Sequence, residues 1–228
     1  MPSPIQVISS MATKQLLAEL AGRFQQASTN RVSIESVGGI DAAKRVQAGE
    51  AFDVVILAAK VIDQLIAAGR LVGSRVDLVR SGVSIAVKSG APRPDVSTEE
   101  ALRQAVASAH SIGYSTGPSG VHLTQLFARW GIADIIKDRI VQASPGVPVG
   151  SLVAKGDVDI GFQQLSELIH LTGVDILGPL PPAAQIITTF SAAVSAGCTQ
   201  ADTARALVEF LASSAADDAK RKNGMDPA

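Results

Sequence analysis

Residues 46–56 read VQAGEAFDVVI and residues 153–162 read VAKGDVDIGF, and the two stretches share one order of residue types. In each, a helix end is followed by a glycine, an acidic residue and an apolar run typical of a buried strand. Each run leads into a further helical stretch, at 60–68 and at 166–170. Such an echo also arises by chance in α/β chains, but its simplest interpretation is a chain with two similar lobes.

The rest of the chain extends the same alternation of short β-branched runs and longer helical stretches. This alternation predicts mostly parallel sheets covered by helices on both faces. Two prolines in the loop at 89–94 exclude a regular element there. The predicted strands are 5–8, 32–37, 54–57, 83–87, 111–114, 140–142, 160–163, 176–178 and 187–195, and the predicted helices are 12–26, 41–48, 60–68, 98–108, 118–130, 200–212 and 215–222.

Composition narrows the possible functions. With 20 basic and 21 acidic residues the formal net charge is −1, which disfavours nucleic acid as a partner. One cysteine, Cys198, and three dispersed histidines fit neither a disulfide scaffold nor a zinc site. No GxGxxG, GxxxxGK[ST], GxSxG or HExxH motif occurs, and no apolar run reaches the ~20 residues of a transmembrane helix. We therefore predict no cofactor, no metal, no nucleic-acid partner and no transmembrane segment.

The first ten residues, MPSPIQVISS, lack the basic end and apolar stretch of a secretory leader. Two interpretations stay open. A leader has been replaced by Met1, which makes the protein periplasmic, or Met1 is the native start and the protein is cytoplasmic.

Several motifs, taken in order along the chain, resemble one family. They are a first strand ending in Ser9–Ser10, AGEAFDVVILA at 48–58, YSTGPSG at 114–120, LVAKGDVDIGF at 152–162, and GPLPPAAQ at 178–185 with TTFSAAV at 188–194. Together they resemble the periplasmic solute-binding proteins of ABC transporters. The subgroup they are most similar to is the molybdate-binding-protein-like one, which also includes an isomerase of aconitate.

The resemblance implies an α/β fold of the two-lobe periplasmic-binding-protein type (type II), with two crossover strands at the hinge. Lobe one would comprise residues 1–82 plus 187–228, and lobe two residues 83–186. The crossings would lie near 81–87 and 187–193. The resemblance also implies a monomer.

The same resemblance implies a ligand site in the inter-lobe cleft. There, strands end and helices begin, so unpaired N–H groups can hold an anion. Ser9 and Ser10 could instead cap the first helix, and Tyr114 could be ordinary packing. Gly38 and Gly39 could form a tight turn with positive φ or let a ligand approach the backbone. The candidate ligand-binding residues are Ser9, Ser10, Met11, Gly38, Gly39, Ile40, Tyr114, Ser115, Ser119, Gly120, Gly146, Val147, Gln163 and Gln164.

Two departures from the subgroup bear on the ligand. Molybdate binders of this type carry a serine pair where this chain has Gly38–Gly39, and a tyrosine where it has Gln164. Amide side chains offer both donors and acceptors, whereas a bare metal oxide needs donors. Within the expected class of small oxyanions and organic carboxylates, the sequence therefore favours a carboxylate.

Three functions share this pocket. The first is a solute-binding protein that delivers a small anion to an ABC permease. The alternative is an enzyme that shifts the double bond of a small unsaturated carboxylate, as an aconitate isomerase does. Its proton-moving set would be Tyr114, His122 and Ser115, although His122 could equally be a helix-surface residue. The third is a cytoplasmic ligand sensor.

Overall fold

The computed structural model describes residues 3–144 and 146–228, and the chain divides into two compact units. Unit 1 comprises Met1–Ser81 and Thr188–Ala228, and unit 2 comprises Gly82–Ile187. Met1, Pro2 and Pro145 lie outside the described residues. The two interpretations of Met1 therefore stay predictions. Each unit contains hydrophobic clusters of its own.

Unit 1 is built on three parallel strands in the order β2-β1-β3, with β9 antiparallel to β3. The last strand, β10, pairs antiparallel with β4, which begins in unit 1 and continues into unit 2. The elements are β1 (Ile5–Ser10), α1 (Lys14–Ala27), β2 (Val32–Val37), α2 (Gly39–Gln47), β3 (Val54–Ala58), α3 (Ala59–Ala67), β4 (Leu71–Lys88), β9 (Ile187–Ser195), α9 (Ala201–Ala212), α10 (Asp217–Lys222) and β10 (Asp226–Pro227).

Helix α1 forms where its apolar spacing predicts. Leu16, Leu17, Leu20 and Phe24 recur at spacings of three and four, and all four are buried against the sheet of unit 1. The predicted start at Ala12 is early, because Met11–Thr13 form a 3-10 turn before the α-helix begins at Lys14.

Unit 2 repeats the layout with the parallel strands β7-β5-β6, and β4 lies antiparallel to both β7 and β8. Each parallel strand is followed by a helix, as in unit 1. The elements are α4 (Glu99–Ser108), β5 (Ile112–Ser115), α5 (Pro118–Arg129), α6 (Ala133–Ile136), β6 (Ile140–Ala143), α7 (Val149–Lys155), β7 (Ile160–Gln164), α8 (Leu165–Leu168) and β8 (Val174–Pro179).

The largest difference from the predicted elements concerns β4, which spans 18 residues from Leu71 to Lys88 instead of 83–87. Residues 72–77 of this strand are exposed and include Gly73, Ser74 and Arg75, so they show no strand-like alternation of apolar residues. Within the described ranges, no helix is long and apolar enough to cross a bilayer.

Candidate functional site

The carboxyl ends of β1 and β2 in unit 1 carry serine hydroxyls. Because the two strands are parallel and Ser9 is in register with Ser36, their side chains meet, and the two Oγ atoms lie 2.8 Å apart. Ser9 is fully buried. This hydroxyl pair therefore fixes the end of the sheet, and the neighbouring Ser10 is the partly exposed one.

Ser10 has the capping role that its position predicts. Its backbone is extended, its Oγ accepts from the N–H of Ala12 at 3.4 Å, and its carbonyl accepts from the hydroxyl of Thr13 at 3.0 Å. Because the hydroxyl oxygen is the acceptor in this bond, its own hydrogen is available to another acceptor.

The glycine pair after β2 begins helix α2 beside Ser10. The alternative that Gly38 and Gly39 need positive φ is wrong: Gly38 has φ of −54°, and Gly39 is not among the positive-φ glycines. A Cβ atom on Gly39 would lie 3.8 Å from Ser10 Oγ, an ordinary contact. Gly39 and Ile40 thus place the first turn of α2, whose N–H groups have no intrahelical acceptor, near that hydroxyl. Met11 is partly buried and Ile40 is exposed.

In unit 2, helix α5 begins in close contact with the end of β5. A Cβ atom on Gly120 would lie 1.9 Å from the Ser115 carbonyl oxygen, so only glycine fits there. The Ser115 hydroxyl accepts from the Gly117 N–H at 3.4 Å, and Ser119 is 9% exposed. The Gly120 N–H is used internally, since it donates to the Gly117 carbonyl at 2.9 Å. It is therefore not the free donor that the sequence predicted.

The predicted donor pair before α7 is only partly available. Gly146 is left-handed, with φ of 79°, and shapes the turn that precedes the helix. The Val147 N–H donates to the Ser144 carbonyl at 3.0 Å, which corrects its assignment as a free donor. The Val147 side chain is 40% exposed.

The carboxyl end of β7 holds the most polar arrangement of unit 2. Gln163 is 4% exposed and Gln164 is 5% exposed. The Gln163 side-chain oxygen accepts from the Gly150 N–H in the first turn of α7 at 2.8 Å, and its nitrogen donates to Glu167 Oε1 at 2.9 Å. The oxygen and the nitrogen of the Gln163 amide are therefore both hydrogen-bonded within unit 2. The nitrogen holds the carboxyl group of Glu167 at this strand end.

Glu167 was not among the residues predicted from sequence. Burial raises the pKa of its carboxyl to about 7, while the hydrogen bond from Gln163 opposes that rise. The following signal could have found it: an acidic residue stands three positions after the Gln163–Gln164 strand end, where the matching stretch of unit 1, AAKV at 58–61, has none. Next to it, the buried hydroxyl of Ser166 has no hydrogen-bond partner in the described part of the chain.

The three residues predicted as a proton-moving set have different surroundings. Tyr114 is 6% exposed and lies in the core, with its ring centroid 6.1 Å from that of Phe127, and burial raises the pKa of its hydroxyl. His122 is exposed on α5 and lines a groove of about 410 Å³ with Gln125, Arg129 and residues 183–187. Within the described residues no hydrogen bond joins Tyr114, Ser115 and His122. Their closeness in sequence did not reveal that Tyr114 is buried and His122 is exposed.

The described residues include no group of three or more histidine, cysteine, aspartate or glutamate side chains arranged to hold a metal ion. The polar groups at the strand ends are hydroxyls, amides, N–H groups and one carboxyl. They suit an organic ligand held by hydrogen bonds.

Comparisons with known proteins agree with this architecture. Aconitate isomerase from Pseudomonas sp is 36% identical over 230 residues, covering 97% of this chain and 87% of that protein. The periplasmic molybdate-binding protein of Azotobacter vinelandii superimposes with a TM-score of 0.80 at 22% identity, covering 97% of this chain and 98% of the other. The agropinic acid complex of AgtB from A. tumefaciens R10 gives a TM-score of 0.77 at 14% identity, covering 100% of this chain and 83% of the other.

These likenesses confirm the predicted fold class, a two-lobe α/β fold of the type II periplasmic-binding-protein kind. At 22% and 14% identity, these two structures show the fold of this chain and do not indicate its ligand. The family comparison covers residues 5–226, nearly the whole chain. The chain belongs to the bacterial extracellular solute-binding proteins.

Proposed function

We propose that this chain binds a small organic anion with two or three carboxylate groups. The observation that carries the proposal is the Gln163–Glu167 pair at the end of β7, joined at 2.9 Å. A carboxyl group can donate when protonated and accept when ionised, so it suits a ligand with mixed groups. A bare oxyanion such as molybdate needs donors alone.

The hydroxyl groups of unit 1 support the same ligand class. The Ser10 hydroxyl accepts from the Ala12 N–H, so its own hydrogen is available to a ligand beside the first turn of α2. Hydrogen bonds from hydroxyl and backbone N–H groups to a carboxylate are charge-assisted and therefore strong. A carboxylate can thus be held there without a lysine or arginine.

Membership of the extracellular solute-binding family supports a periplasmic location and an ABC permease as the partner that receives the ligand. Both belong to the proposal. In this account the binding protein captures its ligand outside the cytoplasmic membrane and releases it unchanged to the permease.

A thermal-shift panel tests the proposed ligand class. The wild-type chain is screened with citrate, trans-aconitate, succinate and malate beside molybdate, tungstate and sulfate. A ligand that binds only the folded form raises the melting temperature, and at 100 times its Kd it adds about 2.7 kcal/mol. We expect carboxylates to stabilise the protein. Stabilisation by molybdate or tungstate alone would refute the proposal.

The second candidate function is an isomerase that shifts the double bond of a small unsaturated carboxylate. It is favoured by one observation, the 36% identity to aconitate isomerase across 97% of this chain. Proton NMR of trans-aconitate incubated with the protein distinguishes the two functions. A transport protein returns the ligand unchanged, whereas an isomerase returns a mixture with cis-aconitate.

A further inference from the structure

Binding of a ligand does not by itself require the carboxyl group of Glu167 to gain or lose a proton. Glu167 lies in α8, directly after β7, and its side chain is only partly exposed. Its hydrogen-bond partner in unit 2 is Gln163 Nε2 at 2.9 Å. A carboxyl group at a strand end whose pKa is strongly shifted by burial is a candidate for proton transfer.

The support beneath this carboxyl group is rigid. Gln163 is 4% exposed and bridges Glu167 to the Gly150 N–H of α7, so two consecutive hydrogen bonds orient it. The two helices also pack closely, since a Cβ atom on Gly150 would lie 2.4 Å from Leu171 Cδ1 and 2.8 Å from Leu168 Cδ2. A proton-transferring group needs such fixed placement.

Few ionisable residues stand near Glu167, and the one nearest in sequence, His170, follows it by three positions. Strand β7 has no ionisable residue, and α7 has only Lys155 in its last turn. On β8, Asp175 accepts hydrogen bonds from Ser89 and Gly90. Burial is accordingly the larger influence on Glu167 and raises the pKa of the carboxyl to about 7. At neutral pH both the acid and the base forms are therefore populated.

Given the isomerase proposed above, on which this inference rests, we propose that Glu167 is the group that moves the proton and that Gln163 positions it. Tyr114 lies in the core and His122 lines the groove on α5, so neither shares this placement.

The reaction is an allylic proton shift. The Glu167 carboxylate takes a proton from the methylene carbon of the substrate, so a C–H bond breaks and an O–H bond forms. The released electron pair makes a new double bond to the central carbon, and the original double-bond pair becomes delocalised into the adjoining carboxylate. Glu167 then returns a proton to the former vinylic carbon. The double bond has moved, the carboxylate is regenerated, and neither oxidant nor reductant is used.

The test compares wild type, Glu167→Gln and a matched control, Glu209→Gln, whose glutamate is exposed on α9 of unit 1. Each protein is incubated with trans-aconitate in D2O. Proton NMR follows both cis-aconitate formation and deuterium incorporation at the methylene group, and calorimetry measures the Kd. Wild type and Glu209→Gln are expected to convert and exchange alike. Glu167→Gln, whose amide can still donate and accept a hydrogen bond, is expected to lose both rates by about 100-fold or more while it still binds aconitate.

A positioning role for Gln163 has a separate readout. Gln163→Met removes the hydrogen bond that opposes the raised pKa of Glu167. The acid limb of its pH–rate profile is expected to move to higher pH while the maximal rate is kept. A rate lowered equally at every pH would overturn the positioning role.

The failures are distinguishable. Glu167→Gln with a rate within about tenfold of wild type would overturn the role of Glu167, because general acid–base catalysis contributes about 100-fold or more. A Glu167→Gln protein that no longer binds aconitate would show that Glu167 acts in holding the ligand rather than in moving the proton, and would overturn its role in the proton shift. Wild type that binds aconitate with neither exchange nor formation of cis-aconitate would overturn the proton shift and leave the binding function standing. Wild type that does not bind aconitate would refute the isomerase proposal itself.

Discussion

The strand ends of unit 1 and unit 2 follow one layout and carry different chemistry. In both units three parallel strands each lead into a helix. Unit 1 places the hydroxyl pair of Ser9 and Ser36 there, at 2.8 Å, whereas unit 2 places Gln163 and Glu167 there, at 2.9 Å. The hydroxyl pair does not change its charge near neutral pH, but the Glu167 carboxyl does, because burial raises its pKa to about 7.

The glycines in the first turns of α2 and α5, Gly39 and Gly120, also differ. A side chain on Gly39 of unit 1 would make an ordinary 3.8 Å contact with Ser10 Oγ, whereas one on Gly120 of unit 2 would collide with the Ser115 carbonyl at 1.9 Å. A methyl group therefore fits at position 39 of unit 1 and does not fit at position 120 of unit 2. The comparison indicates that α5 packs against the end of β5 more tightly than α2 packs against Ser10.

The largest expected effect comes from the titration of Glu167 in unit 2. With its pKa raised by burial from 4.5 to about 7, the folded chain keeps a proton that the unfolded chain releases. The free energy of unfolding therefore falls as pH rises from about 4.5 to 7, by about 3 kcal/mol. Glu167→Gln cannot titrate, so its stability relative to wild type should rise across this window. Chemical denaturation at pH 4.5 and pH 8 measures the difference. An equal difference at both pH values would contradict the burial of this carboxyl.

Gly120→Ala should be the next largest effect. Its Cβ atom would meet backbone at 1.9 Å, which cannot move aside as a flexible side chain can. We expect a loss of about 2 to 3 kcal/mol in the free energy of unfolding. Gly39→Ala, at the matching helix start of unit 1, is the control and should cost less than about 1 kcal/mol. Urea denaturation of both variants decides the point, and equal losses would remove the contrast between the two helix starts.

Ser10→Ala should weaken ligand binding without unfolding unit 1. The hydroxyl lost is a hydrogen-bond donor to a charged ligand, which contributes about 1.5 kcal/mol and corresponds to a roughly tenfold higher Kd. Its capping bond of 3.4 Å is long, so the loss of stability should be small. Calorimetric titration with trans-aconitate measures the Kd. An unchanged Kd would place the ligand away from Ser10.

Cys198→Ala should have the smallest effect. The Cys198 thiol donates to Asp53 Oδ1 at 3.1 Å, and Asp53 keeps the Gln6 N–H and the Gln200 amide, at 2.8 and 2.9 Å. We expect a loss of about 1 kcal/mol or less in the free energy of unfolding. We also expect an unchanged Kd, because Asp53 precedes the amino end of β3, whereas the candidate ligand-binding groups lie at the carboxyl ends of strands. A changed Kd in this variant would show that the contrast between the strand ends does not account for binding.

Much of the fold could be predicted from periodicity. The strand at 187–195 has the bounds that its β-branched pattern predicts, and the buried face of α1 follows its leucine spacing. Residues 72–77 of β4 could not be predicted, because they are exposed and carry no alternation. Their strand conformation depends on pairing rather than on local composition.

The chemistry of the strand ends was harder to predict than their positions. Sequence placed Ser10 and Gln163 at the ends of strands, where the structure has them. It could not show that Tyr114 lies in the core, that the Val147 N–H is already used, or that burial raises the pKa of Glu167. Each of these depends on which residues from distant parts of the chain pack around the group.

The most direct test of the account is a calorimetric titration of wild type and Glu167→Gln with trans-aconitate and with molybdate, at pH 7 in buffers of different ionisation enthalpy. An anionic ligand beside a carboxyl with a pKa of about 7 should cause it to take up a fraction of a proton. We predict that aconitate binds wild type with proton uptake, that Glu167→Gln binds it without uptake, and that molybdate gives no heat. Binding of molybdate with no binding of aconitate would contradict the account.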